Sequence, residues 1–329
     1  MEVKDWLIYI LFLPLYGALA GIVHSHSSEL NKERESDGSY KPRDHHHFSD
    51  EESDHRTDFD HEAILGSHRE AEEYDHLPPE EAKKRLGILA GKMDLNGDQA
   101  VDRNELKAWI MRSFKMLSEE EARDRMEDAD EDGDGFVTWN EYLTDTYGAG
   151  EDSEEALTFE DDNLHFVEDD KEMWKAADRN GDGQLDSREW LSFSHPEEDP
   201  NLLPVILKQT LKEKDLDGDG FISFQEYMSD RGKDMGKSLL LSEKQTFDDS
   251  FDHDRDGKLN SEEILNWIVP SNEKIAEEEV QHLFQHCDDD IDQRLSFEEI
   301  LNHHDIFVGS EATDYGDHLH NIHHFTDEL

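Results

Sequence analysis

Six acidic stretches of twelve residues recur along the chain at a near-constant interval, and nothing else in the sequence restricts the fold as much. They begin at Asp94, Asp130, Asp178, Asp215, Asp252 and Asp288, in steps of 36, 48, 37, 37 and 36 residues. A period in that range marks a repeated supersecondary unit. The second stretch reads Asp130-Glu131-Asp132-Gly133-Asp134-Gly135-Phe136-Val137-Thr138-Trp139-Asn140-Glu141. Every stretch has Asp at position 1, Asp or Asn at position 3, Asp at position 5 and Glu at position 12. Oxygen donors in that number and spacing suit a hard cation that takes six to eight oxygen ligands at flexible distances, which is calcium.

The stretches therefore read as EF-hand loops, in which positions 1, 3, 5 and 12 offer side-chain oxygens, position 7 its carbonyl and position 9 a water-mediated contact. Loop one then offers Asp94, Asn96, Asp98, Ala100, Asp102 and Glu105, and loop two Asp130, Asp132, Asp134, Phe136, Thr138 and Glu141. Loop three offers Asp178, Asn180, Asp182, Gln184, Asp186 and Glu189, and loop four Asp215, Asp217, Asp219, Phe221, Ser223 and Glu226. Loop five offers Asp252, Asp254, Asp256, Lys258, Asn260 and Glu263, and loop six Asp288, Asp290, Asp292, Arg294, Ser296 and Glu299. Six matches in register leave almost no room for coincidence.

Two regularities lie outside that pattern. Position 8 is always aliphatic (Val101, Val137, Leu185, Ile222, Leu259, Leu295), as a short β-contact between paired loops requires. Position 9 is always a helix-capping type followed three residues later by the ligand Glu, which is capping-box spacing. Two loops depart from the rule: Gln99 and Gln293 stand at position 6, where a turn at positive φ favours glycine. A side chain there costs on the order of 1–2 kcal/mol, so up to six calcium ions are expected, with the loops starting at Asp94 and Asp288 the weaker.

The predicted fold is all-α: six hands in three helix-loop-helix pairs, each joined by a short loop-loop β-contact, behind a disordered arm. Residues 1–20 read as a signal peptide, apolar from Trp6 to Ala20 with a small-x-small site at Ala18-Leu19-Ala20. Residues 21–76 are acidic and histidine-rich, with His45-His46-His47, and read as a disordered arm. Folding is expected to begin near Leu77-Pro78-Pro79-Glu80, with Leu86, Ile88, Leu89 and Met93 as the apolar face entering loop one. Consecutive hands are expected to pair: one with two over 77–147, three with four over 165–230, five with six over 244–305. Linkers are expected at 148–164, where Gly148 and Gly150 precede the acidic run 151–155, and at 231–243. Ser118-Glu119-Glu120-Glu121 reads as a capping box starting the helix into loop two. Residues 306–329 form an acidic, histidine-containing tail closing on Asp327-Glu328-Leu329, an endoplasmic-reticulum retrieval signal. Thr326 replaces the usual Lys or His, which predicts leaky retrieval.

Charge restricts the partners. With 85 acidic against 32 basic residues the formal charge is −53, which argues against direct nucleic-acid contact and for cation binding. The single cysteine, Cys287, allows no intramolecular disulfide and reads as a small packing residue. No nucleophile–base constellation, phosphate-cradling loop or open zinc site is evident, so an enzyme is not expected.

Taken together, the acidic His-rich arm, six hands and Asp-Glu-Leu ending resemble the reticulocalbin and calumenin family of secretory-pathway proteins. Lys83-Lys84-Arg85-Leu86-Gly87, Glu105-Leu106-Lys107-Ala108-Trp109-Ile110 and the run Asp134–Tyr142 look like that family too. The resemblance implies a non-enzymatic, low-affinity, multi-site calcium binder of the endoplasmic reticulum lumen. It would buffer calcium and assist or regulate client proteins, with a retrieval receptor as a C-terminal partner, no direct nucleic-acid contact and no stable membrane span once the signal is cleaved. Leaky retrieval would pass some of it to later secretory compartments or out of the cell. Insect supercoiling factors look similar as well. The alternative is therefore a calcium-dependent regulator of a partner enzyme, including a topoisomerase-assisting role that would run through protein contacts.

Overall fold

The computed structural model describes residues 37–44, 57–148, 161–233 and 235–309. The expected signal peptide, most of the expected arm, the acidic run 151–155 and the expected retrieval signal lie outside these. Among the described residues, α1 (Thr57–Leu65) and α2 (His68–Asp75) precede the first hand. Hand one consists of α3 (Pro79–Met93), β1 (Ala100–Val101) and α4 (Arg103–Ala129). Hand two uses the far end of α4, then β2 (Val137–Thr138) and α5 (Trp139–Tyr147). Hand three is α6 (Asp161–Ala177), β3 (Gln184–Leu185) and α7 (Ser187–Ser194); hand four is α8 (Leu203–Lys214), β4 (Ile222–Ser223) and α9 (Phe224–Met228). Hand five is α10 (Lys237–Thr246), β5 (Lys258–Leu259) and α11 (Ser261–Ile268). Hand six is α12 (Asn272–Cys287), β6 (Leu295–Ser296) and α13 (Phe297–Asn302), followed by α14 (His304–Val308). Among the described residues no helix is long and apolar enough to cross a membrane.

Three antiparallel loop contacts form, as the aliphatic position 8 requires, but between different hands from those expected. β2 pairs with β3 (Val137↔Leu185), β4 with β5 (Ile222↔Leu259), and β1 with β6 (Val101↔Leu295). The consecutive pairings over 77–147, 165–230 and 244–305 are thus corrected to two–three, four–five and six–one. The reason is α4, a single unbroken helix of 27 residues. At 1.5 Å per residue its ends lie roughly 40 Å apart, so loops one and two cannot touch. The expected helix start at Ser118 does not occur: the Ser118 hydroxyl lies 3.1 Å from the Phe114 carbonyl one turn back and 2.8 Å from Glu198. Segment 148–164 accordingly joins the two members of one pair instead of separating two pairs. The second linker is shorter than 231–243, since α10 begins at Lys237. Contact between β1 and β6 closes the six hands into a ring.

Two apolar cores result. The first joins hands one and six with α1, α2 and α14 through Ile64, Leu86, Met93, Leu106, Ile110, Phe114, Leu283, Phe284, Ile300 and Phe307. The second joins hands two to five through Trp174, Trp190, Ile206, Tyr227, Phe247, Ile264 and Trp267. All six position-8 side chains are fully buried. Ile88, expected on the apolar face entering loop one, is exposed. Cys287 is fully buried and burial pushes its thiol up to about 12, in keeping with a small packing residue.

Residues 21–76 are not wholly a disordered arm. Ala63 and Ile64 of α1 are fully buried, and the Trp109 indole N–H donates to the Ile64 carbonyl at 2.7 Å. Upstream, residues 37–43 run across both cores. The Tyr40 N–H donates to the Ile268 carbonyl at 2.8 Å, the Trp267 indole N–H donates to Asp37 at 3.0 Å, and Arg43 binds Ser118 and Glu198. The tail beginning at 306 also contributes to the fold, since Phe307 and Val308 are buried.

A carboxylate between two histidines ties the cores together. Glu121 on α4 lies 3.0 Å from His68 Nε2 of α2 and 2.9 Å from His195 Nε2 just after α7. Glu62 lies 2.8 Å from His68 Nδ1. Hydrogen bonding to Glu121 and then Glu62 pushes His68 up to about 10. Burial would raise Glu121, but its bonds to His195 and His68 outweigh that and hold it well below the carboxylate range. Because the folded pKa of His68 lies above its unfolded value near 6.5, its stabilisation is complete below about pH 6.5 and is lost as pH rises toward 10. His68→Ala is therefore expected to cost about 1 kcal/mol at pH 6 and close to nothing at pH 10.5, read as the difference in urea midpoints. An equal loss at both pH values would contradict the ion pair.

Candidate metal centres

Each loop is held open for a cation by its own backbone. In loop two the Asp130 carboxylate accepts from the N–H groups of Gly133, Asp134 and Gly135 at 2.8, 3.2 and 2.9 Å. Asp132 accepts from the Asp134 N–H at 3.0 Å, and Asp134 from the Phe136 N–H at 2.9 Å. In the other five loops Asp94, Asp178, Asp215, Asp252 and Asp288 likewise accept from the position-6 N–H, at 2.9–3.0 Å. These bonds aim the side-chain oxygens of positions 1, 3 and 5 inward.

Position 12 is fixed from the helix side. All six exit helices begin with a complete capping box at Asp102/Glu105, Thr138/Glu141, Asp186/Glu189, Ser223/Glu226, Asn260/Glu263 and Ser296/Glu299. In loop four one oxygen of Glu226 accepts from the Ser223 N–H at 2.8 Å, and the other from the N–H groups of Leu216 and Asp217 at 2.9 and 3.3 Å. Burial would raise the pKa of Glu226, but these bonds outweigh it and hold the carboxyl below its usual range; Glu299 behaves likewise. The glutamate is thus kept ionised at the first turn, where the helix dipole also favours its charge.

Carboxylate oxygens converge in four loops. Those of Asp130, Asp132 and Glu141 lie within 4.8 Å of one another, as do those of Asp215, Asp217 and Glu226, of Asp252, Asp254 and Glu263, and of Asp288, Asp290 and Glu299. Loops one and three place Asn96 and Asn180 at position 3, where the amide oxygen takes up the same bond, to the N–H of Asp98 at 2.9 Å and of Asp182 at 2.8 Å. All-oxygen donor sets of this kind fit a hard divalent cation. The position-7 carbonyls of Ala100, Phe136, Gln184, Phe221, Lys258 and Arg294 sit at or beside the β-contacts. The position-9 residues Asp102, Asp186 and Asn260 each accept through the side chain from two N–H groups of the exit helix.

Backbone strain is more widespread than position 6 alone suggests. Gln99 and Gln293 do lie at φ 69° and 67°. Position 4 also requires positive φ: Gly97, Gly133, Gly181 and Gly218 supply it, whereas Arg255 and Ile291 adopt φ 61° and 62°. Loop six therefore carries two strained side chains, one of them β-branched, where a left-handed conformation is a genuine outlier. Gly133 and Gly135 of loop two face open space, so the cost of a side chain at these positions is conformational rather than steric. Ile291→Gly with Gln293→Gly is expected to raise calcium affinity at loop six by about tenfold for each substitution, measured by calorimetry. Unchanged affinity would show that the strain falls equally on the free and loaded loop.

Two basic side chains escaped the position-by-position reading. Lys258 and Arg294 each offer a position-7 carbonyl to their own loop, but their side chains reach across the β-contact. The Lys258 ammonium binds Asp219 of loop four, and the Arg294 guanidinium binds Asp98 of loop one. These bonds hold both carboxyls below their usual range.

Comparison with known proteins agrees with this geometry. Models of an EF-hand domain pair match residues 97–148 and 167–229. Each match spans two hands adjacent in sequence, whereas the β-contacts join hands two to three and four to five. The chain is 40% identical over 286 residues to reticulocalbin-2 of Crotalus adamanteus, covering 84% of this chain and 93% of the relative. Against reticulocalbin-2 of Mus musculus the identity is 37% over 288 residues, covering 84% and 89%. Against that of Rattus norvegicus it is 37% over 330 residues, covering 97% and 96%. Repeated EF-hand loops with convergent carboxylates, in a chain so similar to these relatives, are those of a calcium-binding protein. The chain belongs to the reticulocalbin family of multiple EF-hand proteins.

Proposed function

We propose that the chain is a low-affinity, multi-site calcium binder of the endoplasmic reticulum lumen and secretory pathway. It buffers the ion and assists or regulates client proteins, without chemistry of its own. The ligands are the residues at positions 1, 3, 5, 7, 9 and 12 of the six loops, with loops one and six the weakest. One observation carries the reading: carboxylates from positions 1, 3 and 12 converge within 4.8 Å in loops two, four, five and six. The formal charge of −53 supports it, because self-repulsion opposes folding until cations are bound. Affinities on the order of 10⁻⁴–10⁻³ M suit a calcium-rich compartment. Client proteins and a retrieval receptor are the partners this placement implies.

Calorimetric titration at physiological salt and magnesium, with helicity and a hydrophobic dye followed in parallel, tests the reading. Weak binding with rising helicity and falling dye signal is expected of a buffer that compacts as it loads. Tight binding at one pair with rising dye signal would instead mark a sensor that opens an apolar face to a partner.

A further inference from the structure

The two cross-loop ion pairs do more than hold the loops together. Lys258 carries two functions on one residue: its carbonyl stands at position 7 of loop five, and its ammonium binds Asp219 at position 5 of loop four. Arg294 repeats the arrangement, with its carbonyl in loop six and its guanidinium on Asp98 of loop one. The Lys258 ammonium also lies 5.8 Å from the centre of the Phe221 ring, so it sits between a ligand carboxylate and an aromatic face of the opposite loop. Both basic groups remain partly solvated, with side chains 42% and 41% exposed, so each can swing away without unfolding anything.

The third pair differs. Position 7 is Phe136 in loop two and Gln184 in loop three, and neither side chain carries a charge. Among the described residues, Asp134 and Asp182, the corresponding position-5 residues, meet no charged position-7 side chain from across that contact.

We infer that Lys258 and Arg294 are resident counter-ions that compete with a calcium ion for Asp219 and Asp98, so loops four and one fill later than they would without them, while loops two and three carry no such competitor. The inference rests on the calcium reading of the loops. A divalent ion at Asp219 draws off the carboxylate charge and repels the ammonium beside it, and screening by salt weakens the same bond. Loading of loop four then frees the side chain of the residue whose carbonyl serves loop five. The two sites of a pair are thereby linked through one residue, and thermodynamic linkage makes the effect reciprocal. A protein so built releases calcium over a wider range of free ion than six equal sites would.

The test has two arms. In calcium-free protein kept folded with a stabilising osmolyte, its folding checked by near-ultraviolet circular dichroism, the acylation rate of Lys258 by an amine-reactive reagent is measured by peptide mass spectrometry, in wild type and in Asp219→Asn. A rise of several-fold in D219N is expected, with a similar rise in wild type on adding calcium. An unchanged rate in D219N would overturn the counter-ion assignment whether or not the loops bind calcium. In the second arm K258Q is expected to raise the affinity of loop four by about two- to fivefold at low salt, and the gain should shrink at high salt. R255Q removes the same charge from loop five without touching Asp219. An equal gain from R255Q would reduce the effect to net charge and overturn the inference.

Discussion

Ile64→Ala is expected to destabilise the calcium-loaded protein by about 2–5 kcal/mol, the range for emptying a packed site that cannot collapse. Ile64 is fully buried on α1, between Ala63 and Leu65, which are also buried. Helix α1 lies against α4 and α14, and the Ile64 carbonyl takes the Trp109 indole N–H. That bond anchors the C-terminal end of the helix while its apolar face fills the core of hands one and six. Were residues 57–65 a disordered extension, the substitution would leave the urea midpoint unchanged. Closure of the ring through loops one and six should suffer with it, because α14, which follows hand six, packs on α1. The variant is thus expected to lose cooperativity in the first core before the second, seen as separation of the Trp109 and Trp190 fluorescence transitions.

Glu226→Gln is expected to have the largest effect on a single site, a loss of about 2–3 kcal/mol in binding at loop four, or roughly 30- to 150-fold in affinity. The amide can still accept from the Ser223 N–H and preserve part of the capping box, so the exit helix should survive. What it loses is the negative charge that the N–H groups of Ser223, Leu216 and Asp217 hold ionised. Calorimetry that resolves one fewer site, with unchanged helicity at saturating calcium, is the expected outcome. A loss of helicity instead would mean that the glutamate serves the helix more than the ion.

The loops were legible in the sequence because a hard cation needs particular residue types at particular spacing. The capping spacing was legible because the same glutamate must serve the helix start, and the structure forms all six boxes. Which loops pair was not legible. A buried aliphatic at position 8 is equally content against any other, so Val101 carries no mark of whether Leu295 or Val137 will face it. Only the unbroken course of α4 decides, and Ser118-Glu119-Glu120-Glu121 imitates a helix start that the continuing backbone overrides. Helix α1 was hidden for a related reason. Its sequence places Asp60 and His61 among the buried residues, and these blur the apolar face that would otherwise announce it. The demand for positive φ at position 4 had left a trace, glycine in four of the six loops. The counter-ion role of Lys258 and Arg294 had left none, because it depends on which loop lies opposite.

Native mass spectrometry of the protein at millimolar calcium tests the central claim most directly, since it counts the ions. Six calcium adducts are expected, with those of loops one and six appearing last and each lost when its position-12 glutamate is replaced by glutamine. Fewer than four ions, the number of loops whose carboxylates already converge, or adducts that persist after those replacements, would contradict it.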